Sequence, residues 1–170
     1  MSNTKKTIIS ALCLALSLLL PFLTGQIPQF GRALAPMHIG VFLCGLLCGS
    51  PYGMLVGFIA PYLRFMLFQT PAIFPMGFAM SFELLTYGLI AGLLYRKHKV
   101  NIYISLITSM LFGRLVYGAV MYAIMFFTKQ TYTLQMFIAS AFTTAIPGII
   151  LHIALVPLIV IALRKSGIVK

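Results

Sequence analysis

Acidic residues are almost absent from this 170-residue chain, in which a single Asp or Glu stands against 12 Lys and Arg. The one acid is Glu83, and the sequence contains no aspartate. Catalysis by paired carboxylates and by a Ser-His-Asp triad is therefore excluded. The ATP-binding motif G-x-x-x-x-G-K-[ST] is also missing. We predict that the chain is not an enzyme, has no catalytic residues, needs no cofactor and cannot use ATP by itself.

Charged residues of both signs together make up only 8% of the chain, while hydrophobic residues make up 61%. A soluble domain usually has about 25% charged residues. Neither a soluble globular domain nor a disordered segment fits this composition. A membrane span takes about 20 apolar residues, so the length allows up to six spans within one domain over residues 1–170. We predict a multi-pass, all-α protein of the cell membrane, a bundle of six transmembrane helices.

Six apolar runs match that number of spans. They lie at about Thr7–Leu23, Met37–Cys48, Tyr52–Phe68, Phe74–Tyr95, Ile102–Phe127 and Tyr132–Leu163. The second run is short, so we expect its helix to borrow residues from the preceding loop. The three cysteines, Cys13, Cys44 and Cys48, all lie inside these runs and are expected to be small packing residues. No cluster of His, Cys, Asp or Glu has the spacing of a metal site, so no metal is predicted.

The basic residues fall mostly on one side of a six-span chain. Eight lie on the side of the termini: Lys5, Lys6, Arg96, Lys97, Lys99, Arg164, Lys165 and Lys170. Arg32 and Lys129 lie on the other side, with Arg64 close to it. An excess of Lys and Arg marks cytoplasmic loops, so both termini are expected in the cytoplasm. The formal charge of +11 would suggest nucleic-acid binding in a soluble protein, but here it sets the orientation and predicts no nucleic-acid partner.

Charged side chains also occur at membrane depth. Glu83 is 15 residues before His98 in the basic turn, and Arg114 is 16 residues after it. At about 1.5 Å per residue the two side chains reach the same height on adjacent antiparallel helices. We therefore predict that they lie within ion-pair reach. Arg64 is 14 residues beyond Ser50, the other cytoplasmic turn, and reaches a similar height in the outer half of the bilayer.

Two interpretations of these charges stay open. A charge inside a span is costly and usually faces the bundle interior or a cavity. The first interpretation is an ion pair between Glu83 and Arg114 that only locks two helices together. The second is a pocket in which two arginines and one glutamate leave a net positive charge, which suits a carboxylate or a phosphate. The candidate substrate-binding residues are Arg64, Glu83, Arg114, Tyr117, Tyr87 and His38, although each tyrosine and histidine also fits core packing.

Small residues recur at four-residue spacing. The pairs are Ala11/Ala15, Gly45/Gly49, Gly53/Gly57, Gly88/Gly92 and Ala141/Ala145. Such pairs let helix backbones approach closely in lipid, either inside the bundle or against another membrane protein. Ala11 and Ala15 are the best candidates for docking, because the first helix is the easiest to place at the edge of a small bundle.

Five segments carry a resemblance to a known family. They are the A-x-x-x-A of Ala11 and Ala15, PFLTGQIP at 21–28, LAPMHIGVFLCGLLCGSPYGMLVGFIAPYLR at 34–64, FPMGFAMSFELLTYGLIAGLLYRK at 74–97 and AIPGIILHI at 145–153. Together they span nearly the whole chain. In this order the segments resemble the substrate-binding S components of energy-coupling factor (ECF) vitamin transporters.

The resemblance implies a six-helix bundle that binds one vitamin-like molecule near the outer face and has no energy source of its own. It also implies that Ala11 and Ala15 dock against a transmembrane coupling subunit attached to two cytoplasmic ATPases. The S component is thought to topple in the membrane to deliver its ligand. The loop from Thr24 to Pro36 and the segment from Gln69 to Pro75 would form a lid over the pocket.

The ligand does not follow from the resemblance, because family members share the fold and differ in what they bind. The net positive pocket favours a small carboxylate, and pantothenate is the choice among the family's ligands. Pyridoxine-like and riboflavin-like compounds stay open. The alternative function is a membrane scaffold or regulatory subunit that binds no small molecule.

The predicted topology can be tested by labelling single cysteines with a membrane-impermeant maleimide on intact cells. We expect Gln29→Cys and Lys129→Cys to be labelled from outside and His98→Cys to be protected, with the parent chain as the control for native cysteines. Labelling of His98→Cys from outside would contradict the six-span arrangement.

Overall fold

The computed structural model describes residues 1–24, 34–129 and 146–167, and within them all regular structure is helical. The α-helices are α1 (Asn3–Leu19), α2 (Met37–Cys48), α3 (Ser50–Phe68), α4 (Phe78–Gly92), α5 (Ile102–Phe127) and α6 (Ile146–Lys165). Three short helical turns extend them: a 3₁₀ turn, Leu20–Thr24, after α1, and π-helical turns, Ile73–Gly77 and Leu93–Lys97, before and after α4.

Within the described ranges, five helical segments are long and apolar enough to cross a membrane. They are Asn3–Phe22, Ser50–Phe68, Ile73–Lys97, Ile102–Phe127 and Ile146–Lys165. The prediction of an all-helical, multi-pass membrane protein is confirmed. The number of six spans and the cytoplasmic termini remain predictions, as does the helix expected at Tyr132–Leu163, of which residues 132–145 lie outside the described part of the chain.

Helix α2 is the centre of the bundle. It has only 12 residues, and all of them are buried, including Phe42 and Leu46. A helix that is apolar on every side must be surrounded by other elements, and α2 packs against α1, α3, α4 and α6. At about 1.5 Å per residue it spans roughly 18 Å, less than a bilayer core of about 30 Å. Its burial explains this shortness, because α2 is enclosed by protein rather than by lipid.

Glycines bring α2, α3 and α4 into backbone contact. A Cβ atom added at Gly45 would lie 2.7 Å from the carbonyl oxygen of Gly88, and one added at Gly53 would lie 2.8 Å from the same oxygen. A Cβ atom at Gly57 would meet the backbone of Leu84. These glycines therefore serve packing inside the bundle, as small residues do in membrane helices. The pair Ala141/Ala145 lies outside the described residues.

The first helix has a buried face and an exposed face. Ser10, Cys13 and Ser17 are buried, and the hydroxyl of Ser10 lies 3.4 Å from the Sγ atom of Cys44 on α2. All three cysteines are buried and free, so their prediction as packing residues is confirmed. Ala11 and Ala15 lie on the exposed face of α1. Unlike the glycines of α2, α3 and α4, this pair is available for contact with another protein.

We expect Gly88→Val to destabilise the bundle, because the new side chain would overlap the backbone of Gly53 on α3. Overpacking of this kind typically costs about 1–3 kcal/mol. Ala119→Val is the matched control, since Ala119 is an exposed position on α5. Thermal unfolding of the purified protein in detergent measures the difference. Equal unfolding temperatures for the two variants would contradict close packing at Gly88.

Candidate functional site

The single carboxylate of the chain pairs with an arginine on the neighbouring helix. The Nη1 atom of Arg114 on α5 lies 3.0 Å from the Oε1 atom of Glu83 on α4. The Glu83 side chain is 3% exposed and that of Arg114 is 15% exposed. The ion pair predicted from their similar distances to His98 along the chain is confirmed. It places one positive and one negative charge in the interior of the bundle.

Tyr87 donates a second contact to this carboxylate. Its hydroxyl donates to the Oε1 atom of Glu83 at 2.6 Å, from one turn further along α4. Residues four apart lie on the same face of a helix, which makes this contact possible. Gly113 on α5 leaves room for the tyrosine ring, because a Cβ atom at that position would overlap the Cε1 and Cδ1 atoms of Tyr87. Sequence reasoning missed the role of Gly113, although its position next to Arg114 was visible.

Two histidines approach the carboxylate from other helices. The Nε2 atom of His38, on the first turn of α2, lies 3.9 Å from the Oε1 atom of Glu83, which is too long for a hydrogen bond. The ring of His38 is nearly parallel to that of His152 on α6, with 5.9 Å between the centroids. The Nε2 atom of His152 lies 3.3 Å from the carbonyl oxygen of Ala35. His152 was not among the predicted binding residues, and the structure places it beside His38.

Phe42 closes the group with aromatic contacts. Its ring centroid lies 4.8 Å from that of Tyr87 and 5.7 Å from that of His152. Tyr117 is half-buried on α5 and interacts electrostatically with Arg114. We call the following six residues from four helices the Glu83 cluster: His38, Phe42, Glu83, Tyr87, Arg114 and His152.

His38 is the one member of the cluster with an unexplained polar group. It is 3% exposed, and within the described residues neither its Nδ1 atom nor its Nε2 atom has a hydrogen-bond partner. Leaving a buried polar group unpaired costs about 1–3 kcal/mol. Buried polar groups in native proteins are nearly always paired with protein, with ordered water or with a ligand. The predicted substrate-binding role of His38 stays a prediction, and its two unpaired nitrogen atoms are compatible with it.

The structure places Arg64 away from this cluster. Its Nη1 atom donates to the carbonyl oxygen of Leu18 at 2.8 Å, near the end of α1. Its guanidinium carbon lies 5.7 Å and 5.5 Å from the ring centroids of Phe22 and Phe68, within cation–π range. Arg64 and Glu83 are both described, and they form no ion pair with each other. Arg64 therefore joins α3 to α1, and its proposed contact with a ligand remains a prediction.

The ion pair itself carries no net charge, because Glu83 contributes one negative charge and Arg114 one positive charge. The predicted net positive pocket therefore depends on Arg64, which lies elsewhere. In the described part of the chain no group of three or more His, Cys, Asp or Glu residues can hold a metal ion. Of the two predicted lid segments, Gln69–Pro75 is described, whereas residues 25–33 of the other lie outside the described ranges.

Comparison with known proteins gives one family. The model of the family described as "ECF transporter, substrate-specific component" matches residues 5–160. The match covers all of α1 to α5 except the first two residues of α1, and most of α6. No curated protein and no solved structure matches the chain significantly.

We expect strong energetic coupling between Glu83 and Arg114 and none between Glu83 and Arg64. Removing one partner of a buried ion pair typically costs about 3–5 kcal/mol, because the other charge is left uncompensated. Arg114→Met should therefore lower the unfolding temperature, and adding Glu83→Gln should recover part of the loss. In the matched cycle, the effects of Arg64→Met and Glu83→Gln should add within about 0.5 kcal/mol. Additivity of the Glu83 and Arg114 variants, or coupling of Glu83 to Arg64, would contradict this arrangement.

Proposed function

The chain belongs to the ECF substrate-specific component family, and from this membership we propose that it captures a small vitamin or vitamin precursor at the outer face of the membrane. Members of this family bind small ligands and work with a membrane coupling subunit and ATPases; they are not enzymes. In the proposed cycle the captured molecule passes through the coupling subunit at the expense of ATP hydrolysed by the separate ATPases. The absence of an ATP-binding motif from this chain agrees with that division of labour.

The unpaired nitrogen atoms of His38, beside the buried Glu83–Arg114 pair, are the observation that carries the ligand-binding part of the proposal. An ion pair that only links α4 to α5 explains the two charges. Within the described residues, however, it leaves the ring nitrogens of His38 without a hydrogen-bond partner. Small-molecule sites combine apolar and aromatic walls with a few convergent polar groups. The Glu83 cluster has this composition, and its members come from four helices, α2, α4, α5 and α6, which meet at the cluster.

The exposed small-residue stripe of α1 supports docking to a coupling subunit. Gly45, Gly53, Gly57 and Gly88 are occupied by contacts between α2, α3 and α4. Ala11 and Ala15 face outward instead, beside exposed apolar side chains such as that of Leu12. Close helix contact in lipid favours such small residues. We therefore propose the Ala11/Ala15 face as the surface that meets the coupling subunit.

Pantothenate is the ligand predicted from the sequence, and it is the anionic compound to test. A net positive pocket would favour this carboxylate, and such a pocket requires Arg64 to reach the same ligand as Arg114. Mass spectrometry of the small molecule extracted from the purified protein tests the proposal directly. A stoichiometric vitamin or precursor supports it. A protein that retains no small molecule and binds no vitamin favours the alternative, a membrane scaffold or regulatory subunit.

We expect Ala11→Trp and Ala15→Trp to abolish vitamin uptake and to leave ligand binding by the purified protein nearly unchanged. The indole ring would hold the partner helix away from α1, while the Glu83 cluster lies on α2, α4, α5 and α6. Ala119→Trp on the exposed face of α5 is the matched control and should retain uptake. Combined loss of binding and uptake in the α1 variants would contradict a docking role and would indicate an internal packing position.

A further inference from the structure

His38 is the residue of the Glu83 cluster whose ring nitrogens have no hydrogen-bond partner among the described residues. Glu83 is paired with Arg114 and accepts a hydrogen bond from Tyr87, and the Nε2 atom of His152 lies beside the carbonyl oxygen of Ala35. Among the described residues, the two ring nitrogens of His38 have no such partner, although the residue is buried at the start of α2. A ligand of the site therefore has a hydrogen-bonding position to fill at His38.

The charge of the cluster limits what that ligand can be. The carboxylate of Glu83 lies 3.9 Å from the Nε2 atom of His38, so any group bound to His38 is also a near neighbour of this negative charge. Arg114 is committed to Glu83 at 3.0 Å and does not supply an excess positive charge. Like charges at close range in a protein interior repel strongly. An anionic group at His38 is therefore disfavoured, and an uncharged group is favoured.

The chemistry of imidazole defines the group further. A neutral imidazole has one nitrogen that donates a hydrogen bond and one that accepts. A hydroxyl, an amide or a ring lactam offers the complementary acceptor and donor. The ring of His38 lies beside those of Tyr87 and His152, with centroid distances of 5.4 Å and 5.9 Å, and Phe42 contacts both of these rings. The surroundings of His38 are therefore aromatic, which favours a ligand with a flat ring.

We propose that His38 selects an uncharged aromatic or heteroaromatic compound that bears a hydroxyl, amide or lactam group. This inference rests on the proposed function and narrows it to a substrate class other than a carboxylate. Arg114 then serves to neutralise Glu83, and the positive charge of Arg64 serves the contact between α3 and α1.

The experiment compares binding and stability in three variants. His38→Phe keeps an aromatic ring and removes both nitrogens, His38→Gln keeps a donor and an acceptor, and His98→Gln changes an exposed histidine as the matched control. The probes are pyridoxine and riboflavin, which carry no net charge, together with pantothenate and pantothenol, which differ in a carboxylate against a hydroxymethyl group. The molecule retained by the wild-type protein is extracted and identified by mass spectrometry in parallel.

We expect the best-binding probe, or the retained molecule, to be uncharged, and pantothenate to bind no more tightly than pantothenol. His38→Phe should weaken its binding about ten- to hundredfold, the loss that corresponds to leaving the buried polar group of the ligand without a partner, and His38→Gln should restore part of it. Without ligand, His38→Phe should unfold at a temperature no lower than the wild type, because it removes unpaired polar atoms from the interior. A purely structural histidine would show the opposite change in stability.

Two results overturn the inference and leave the proposed function standing. One is an anionic ligand, seen as a retained carboxylate or as pantothenate binding at least tenfold more tightly than pantothenol. The other is ligand affinity that His38→Phe does not change, which would indicate that a buried water fills the position. If the wild-type protein retains no molecule and binds none of the four probes, the proposed function itself fails and the inference falls with it.

Discussion

The buried pair of Glu83 and Arg114 is the interaction around which the interior of the bundle is arranged. Each charge placed within a span costs at least about 2.5–3.5 kcal/mol on insertion scales, and at this depth each of the two side chains compensates the charge of the other. The 3.0 Å contact between them, with the hydroxyl of Tyr87 as a second donor, makes the carboxylate acceptable in the core. Because α4 and α5 are joined by a short connection, the pair also fixes the position of these two helices relative to each other along their axes. Because the chain contains one acidic residue, an ion pair between helices can form at only one place.

Close backbone packing brings the other helices to that pair. The contacts among Gly45, Gly53 and Gly88 draw α2, α3 and α4 together, so α2 is enclosed by its neighbours although it is too short to span a bilayer. Its first turn then faces the carboxylate with His38, and its second turn places Phe42 against Tyr87. The same arrangement of α2, α3 and α4 therefore accounts for both the polar cluster and the glycine contacts. A larger residue at the glycines would move α2, and with it the hydrogen-bonding position that the ligand is expected to fill.

The sequence predicted the depth of side chains better than the direction in which they point. Counting residues from the basic turn put Glu83 and Arg114 at one height, and the structure joins them. The same counting put Arg64 at that height, but α3 directs it towards Leu18 and the rings of Phe22 and Phe68. A polar face in the sequence indicates which side of a helix points away from the apolar surroundings. Membrane helices that are apolar on nearly every side have no such face, so their rotation about the helix axis cannot be predicted from the sequence. The contacts of His152 could not be predicted for a related reason, because a lone histidine in an apolar run carries no signal of its partners.

Docking to a coupling subunit and ligand binding are the two proposed activities of the chain. They use opposite faces of the adjoining helices α1 and α2. Helix α1 turns Ala11 and Ala15 outward and packs its other face, through Cys13 and Ser17, on Gly40 of α2. Helix α2 in turn carries His38 into the Glu83 cluster. The docking face and the ligand position are therefore separated by one helix–helix contact, and no side chain belongs to both. This separation allows a family to keep a common coupling partner while its members change the residues that face the ligand, because substitutions in the cluster leave the outer face of α1 untouched.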